Sequence, residues 1–354
     1  MPTDITIATW MYSPPKGDKS RHHQVGTDIG AQKVRNYYWR SVVVLFASAA
    51  THHPESRRVL LVNELPPEKI DGFFVSPILE RLKVEIRVLK DITRPPGDYH
   101  NAWNTQFVVL DALQELSDIS SGATPVLLLD SDCVFIRPLS AELIERIAED
   151  KILRYDLGSN DDSPENGLSN RDLGRLAAEY DPPLDREVIR YAGGEIFCGR
   201  ADILPEVVKL GRRTYEISIE RHRAGLPKFN EEAHLLSYVY EVLGSPDASA
   251  NDMIKRIWTD RGWYSNLDGS EMDLTIWHLP AEKKLGIIKA FHLIASGKSY
   301  PDNPQRAARL FHIKVSFAEL IWMKAKGVAR HGRNFLRNVG KQASQITIHR
   351  LKKP

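Results

Sequence analysis

A chain of 354 residues, 42% hydrophobic and 27% charged, is long enough for one large domain or two modest ones, and its composition is that of a folded protein. No apolar run is long enough to span a bilayer, and the opening MPTDITIATW lacks the basic-then-apolar order of a signal peptide, so a cytoplasmic location is expected. Two cysteines, Cys133 and Cys198, exclude a disulfide framework and a cysteine-based metal site, and buried thiols are the default reading for both.

In chain order, ITIATWMY (5–12) is an apolar, β-branched strand, and the polar SPPKGDKSRHHQVGTDIG after it is a loop. Residues 31–50 have helical length and periodicity, RRVLLVNE (57–64) is a second strand, and Pro66 and Pro67 predict the start of a helix over 66–82. KVEIRVL (83–89) is a third strand, 104–116 a third helix, and TPVLLLDSD (124–132) a fourth strand. Residues 156–185 are rich in turn formers and acids and read as a surface excursion with one short helix. YAGGEIFCGR (191–200) returns to a strand, and 230–244 is a helix capped by Asn230 and ended by Gly244. IWTDRGWYSN and LTIWHLPAEKK read as short aromatic strands or loops. Continuously apolar strands alternating with helices predict an α/β fold: a mainly parallel sheet covered on both faces.

Ligands bind such sheets at the carboxyl ends of the strands. Asp130 and Asp132 stand at one such end and Tyr12 follows another. On an extended backbone, two carboxylates two residues apart point the same way and repel unless a cation lies between them. They suit a hard divalent ion such as Mn2+ or Mg2+. Alone the tripeptide is weak, because solvated acids at a strand-to-loop turn have the same sequence.

VLLLDSDCVFIRPL, YAGGEIFCGR, FNEEAHLLSYVY and IWHLPAEKK, in that order, resemble the stations of metal-dependent nucleotide-sugar glycosyltransferases of the GT-A (Rossmann-like) fold. The nearest likeness is to the glycogenin-like and bacterial galactosyltransferase-like group, over residues 4–290. The resemblance implies that Asp130, Asp132 and His278 hold Mn2+ or Mg2+ and that Lys284, six residues after the His, meets the donor diphosphate. It places Glu231 and Glu232 beneath the reacting sugar carbon, as a general base if the reaction inverts or a positioning group if it retains; the order of stations resembles a retaining group. In a helix's first turn, the same glutamates also suit the dipole without doing chemistry. Tyr12, Asn104, Gln106, Gly193 and Gly194 fall where the fold contacts the donor. Two positions depart from the pattern: Ala281 stands where the family has Gly, and Gly193 where it often has Asn. Arg21, His22 and His23 read as a solvated loop or a phosphate-binding one.

Net charge is +2, yet residues 305–354 hold twelve Lys/Arg against Glu319 alone, so they carry +11 and residues 1–304 carry −9. Within 306–341, Leu310, Ile313, Phe317, Leu320, Ile321 and Val328 recur at helical spacing among these cations. That pattern fits an amphipathic helix on an anionic membrane surface, or one packed on the domain with its charges solvated; no nucleic-acid motif accompanies it. The expectation is a catalytic domain over 1–300 and a basic helical extension over 301–354. The function expected is transfer of a sugar from a UDP-linked donor to a saccharide or lipid-linked acceptor, at the cytoplasmic face of the membrane. The rivals are a sugar-nucleotidyltransferase, weakened by the missing Gly-rich phosphate loop after the first strand, and a non-catalytic carbohydrate- or membrane-binding protein.

Overall fold

The computed structural model describes residues 5–14, 31–100, 102–244, 249–260 and 264–313. Arg21, His22, His23 and the basic tail from Lys314 onward lie outside these. The strands that matter are β1 (Thr6–Met11), β2 (Arg57–Val62), β3 (Val84–Val88), β4 (Pro125–Leu129), β5 (Cys133–Phe135), β6 (Ile152–Leu153), β7 (Ile196–Arg200), β8 (Ile254–Arg256) and β9 (Ile276–His278). The helices are α1 (Gln32–His52), α2 (Val75–Arg81), α3 (Val109–Ile119), α4 (Ala141–Asp150), α5 (Asn170–Ala177), α6 (Leu204–Arg223), α7 (Glu232–Leu243), α8 (Gly286–Ala295) and α9 (Pro304–Leu310).

A six-stranded sheet runs β3-β2-β1-β4-β7-β6, parallel through β4 and antiparallel beyond it. The fold is therefore α/β with a mostly parallel central sheet. Strand alternation divides its apolar side chains between two faces. Ala8, Val59, Leu61, Val126 and Leu128 pack with α3, α6 and α7. On the other face, Leu60 and Val62 pack with α1, α2 and α8, and Ile7, Leu127 and Leu129 with α1 and α4. β4 is buried along its whole length, which is why PVLLL carries no polar residue until it ends.

The strand ends at Leu129, one residue before Asp130. Residues 130–133 form a turn closed by the Cys133 N–H donating to the Asp130 carbonyl at 3.0 Å. The two aspartates are thus presented by a turn rather than by the extended backbone expected. The turn swings β5 into a second, three-stranded sheet, β8-β9-β5. There Cys133 stands opposite His278, and the Leu279 N–H donates to the Asp132 carbonyl at 3.0 Å. This crossover brings together residues about 150 positions apart.

Three expected elements differ. Of the helix expected over 66–82 only the second half is helical, as α2 (Val75–Arg81); ahead of it stands a hairpin, Lys69–Ile70 against Phe73–Phe74, whose tip is Asp71-Gly72 with φ of 51° and 85°. Asp-Gly favours that left-handed turn, which the proline signal obscured. The helix over 104–116 opens as a 3-10 turn, Asn104–Val108. Of the amphipathic helix expected over 306–341, only the part up to Ile313 is described: α9 ends at Leu310, His312 has φ 57°, and Phe311 and Ile313 are buried. No helix among the described residues is long and apolar enough to cross a membrane.

Candidate metal and ligand site

A cavity opens at the carboxyl ends of β1 and β4. Trp10, Tyr12, Trp103 and Gln106 line it together with Asp130, Asp132, Glu232, His278 and Lys283. The acids come from the turn after β4, His278 from the end of β9, and Lys283 from a 3-10 turn, Pro280–Lys284.

The His278 Nε2 lies 3.2 Å from Asp132 Oδ2 and 3.6 Å from Asp130 Oδ2. One ligand atom from each of the three residues falls within 4.8 Å of the others, the one such group of acids and histidines among the described residues. The His278 Nε2 is buried and makes no well-aligned hydrogen bond, although two carboxylates face it at 3.2 and 3.6 Å. Its other nitrogen, Nδ1, meets Glu195 Oε1 at 3.2 Å, which directs Nε2 toward the aspartates. Two carboxylates and an imidazole so held could bind a metal ion.

The charges are strongly interdependent. Burial opposes ionisation of Asp132, yet the Lys283 ammonium, 2.6 Å from its Oδ2, and the His278 ring hold its carboxyl well below the ordinary value. Burial pushes Asp130 up to about 6, against the pull of His278 and helped by repulsion from Asp132. Its side chain keeps 28% of its surface against 2% for Asp132, so solvent moderates that rise. For His278, burial works against protonation, but Asp132 and Glu195 outweigh it and raise the ring to about 9. The aspartates therefore gather positive charge from their own chain.

Of the donor-contact residues expected, Tyr12, Gln106 and Gly194 line the cavity. Arg94 lies 5.4 Å over the Tyr12 ring and donates to its hydroxyl at 3.1 Å. Three others lie elsewhere. Asn104 is buried outside the lining and donates to the His100 carbonyl at 3.0 Å, because the 3-10 turn folds it inward. Lys284 is exposed and its neighbour Lys283 takes the place at the acids, because the short turn after His278 aims position 283 inward. Gly193 serves space: a Cβ there would fall on the Glu195 carboxylate and 2.9 Å from the Tyr155 ring. A Cβ on Gly194 would lie 2.9 Å from Glu232 Oε1. The paired glycines thus make room for two acids.

Glu231 and Glu232 open α7 and both are buried. Glu231 holds the N-cap position expected of Asn230, which instead donates to the Asn166 carbonyl at 3.0 Å. Glu231 accepts from Asn166 Nδ2 at 2.8 and 2.7 Å and from the Tyr191 hydroxyl at 2.8 Å. Glu232 Oε2 has no partner, and burial, with repulsion from Glu231, raises its carboxyl well above the ordinary range. His234 is packed, its Nε2 donating to the Glu165 carbonyl at 3.0 Å. Cys133 and Cys198 are buried free thiols.

Lys283, Glu195 and Arg256 were missed by sequence reasoning. An acid inside the apolar run GGEIFC was a signal for Glu195; Arg256 carries none, because its place depends on strand pairing. Compared with known proteins, the chain matches no family and no curated protein.

Proposed function

We propose that this chain is a metal-dependent glycosyltransferase of the GT-A type, moving a sugar from a nucleotide-sugar donor, UDP-linked by family likeness, to a saccharide or lipid-linked acceptor. The observation that carries this reading is the convergence of Asp130, Asp132 and His278, flanked by Lys283, in an aromatic-lined cavity at the carboxyl ends of parallel strands. Asp130, Asp132 and His278 would hold the ion, which when bound supplies positive charge against a departing diphosphate. Lys283 adds a second positive charge from a turn fixed beside the metal ligands. Charge placed in advance lowers a barrier without reorganisation. Trp10, Tyr12 and Trp103 bring ring faces suited to a base or a sugar.

The glutamates favour a retaining outcome. Both oxygens of Glu231 are already engaged by Asn166, and one also by Tyr191, so neither is an idle base. Glu232, whose carboxyl is raised by burial and by repulsion from Glu231 and whose Oε2 has no hydrogen-bond partner, suits contact with a sugar oxygen better than service as a general base. The basic tail, twelve Lys/Arg against one acid over 305–354, suits an acceptor held at an anionic membrane surface.

A thermal-shift screen of nucleotide sugars with and without Mn2+ tests the reading. One UDP-sugar should raise the melting temperature only with metal, by an amount equivalent to about 2.7 kcal/mol at a hundredfold excess over Kd, and Asp132→Asn should abolish the shift. If no nucleotide sugar or nucleoside diphosphate shifts the transition, and Asp132→Asn behaves as wild type, the proposal is rejected.

A further inference from the structure

We infer that Glu195 is the positioning residue of the metal site, and that its ion pair with Arg256 sets the orientation of His278. This rests on reading Asp130, Asp132 and His278 as metal ligands. Glu195 touches both halves of that group. Its carbonyl accepts the Asp130 N–H at 2.9 Å, and its carboxylate meets His278 Nδ1 at 3.2 Å. One residue at the entrance to β7 thereby ties the turn after β4 to the end of β9.

The carboxylate is itself held on both oxygens. Arg256 donates from Nε to Oε1 at 2.8 Å and from Nη2 to Oε2 at 2.6 Å, a two-pronged pair that fixes the plane of the carboxylate. Arg256 and His278 are register partners on the parallel strands β8 and β9, so their side chains leave adjacent backbones toward one acid. The Arg256 N–H donates to the Tyr155 hydroxyl at 3.0 Å, and the glycine at 193 leaves the space that the carboxylate occupies. The Glu195 side chain is fully buried, so water does not replace any of these contacts. A histidine whose Nδ1 is fixed by a carboxylate keeps its Nε2 lone pair and its ring direction for a metal, and loss of such a partner commonly costs 10–100-fold in metal affinity.

Mn2+ alone is the probe, with affinity measured by titration calorimetry or from the paramagnetic resonance of free Mn2+. Glu195→Gln should weaken binding about 10–100-fold. Because that change also removes a negative charge and leaves Arg256 unpaired, the double variant Glu195→Gln/Arg256→Gln is the stricter test. It leaves the net charge of the site unaltered and no buried charge alone, and should still lose at least about tenfold. Glu241→Gln, which breaks the buried Arg154–Glu241 pair away from the site, should lower the melting temperature and leave Mn2+ affinity within about twofold of wild type. If the double variant binds Mn2+ like wild type while Asp132→Asn does not, Glu195 is structural only and the inference is overturned. If wild type binds no Mn2+, or Asp132→Asn binds it equally well, the metal reading falls and takes the inference with it.

Discussion

Two adjacent lysines end the segment HLPAEKK, and the structure gives them opposite surroundings. Lys283 is buried on Asp132, with its Nζ also 5.2 Å from the centre of the Tyr38 ring, whereas Lys284 is exposed. A hydrogen bond between charged groups contributes about 1.5–3 kcal/mol net, about tenfold or more in affinity. Lys283→Met should therefore weaken Mn2+-dependent binding of UDP by about tenfold or more, and Lys284→Met should leave it within about twofold. Titration of UDP into the Mn2+-loaded protein compares the two directly. A loss confined to Lys284→Met would return the diphosphate contact to Lys284, and equal effects would remove the distinction between the two. The acids were legible in the sequence because a charge that interrupts an apolar strand marks itself. Which lysine meets them was not, since one residue of phase in a short 3-10 turn reverses its direction.

At the level of elements, α1 and the entrance to α4 are joined by one imidazole. His53 closes the end of α1, and the Leu139 N–H, just ahead of α4, donates to its Nε2 at 3.1 Å. An acceptor nitrogen must be unprotonated, and burial, helped by His52 and Arg58, lowers the ring from 6.5 to about 4. The unfolded chain takes up this proton first, so the contribution to stability is complete above about pH 6.5 and is lost as pH falls toward 4. Replacing His53 by Gln keeps an acceptor and removes the titration. Between pH 7 and 4.5 wild type should lose about 2 kcal/mol more than His53→Gln. Urea unfolding at the two pH values measures it, and parallel losses would show that His53 does not titrate as described. Element types were well marked: β1, β2, β3 and β4 and helices α1, α3 and α7 follow from apolar runs and periodicity. The 69–74 hairpin was not, because a proline pair and an Asp-Gly turn compete within eight residues.

Over the whole molecule, the packing does not stop at residue 300. Tyr300, Ala307, Ala308, Phe311 and Ile313 are buried in the core that also holds α1 and α8. Behind the Lys283 turn, the buried Glu282 accepts from the Gly286 N–H at 2.9 Å and meets His312 Nδ1 at 2.9 Å. The segment that leads into the basic tail is thus fastened to the back of the candidate site. Phe311→Ala should destabilise the protein by about 3–5 kcal/mol in urea unfolding. A loss below about 1 kcal/mol would mean that this segment is dispensable to the core.

By itself the sequence determined the α/β class, the acids at the end of β4 and the charge split between body and tail, because apolar periodicity, strand-end polarity and net charge are local properties of a chain. Only the tertiary structure decided that the aspartates sit in a turn, that β5 crosses to a second sheet to meet His278, and that Glu195 and Arg256 orient that ring. Those placements depend on strand pairings and side-chain contacts between residues about 20 to 150 positions apart, which no local pattern records.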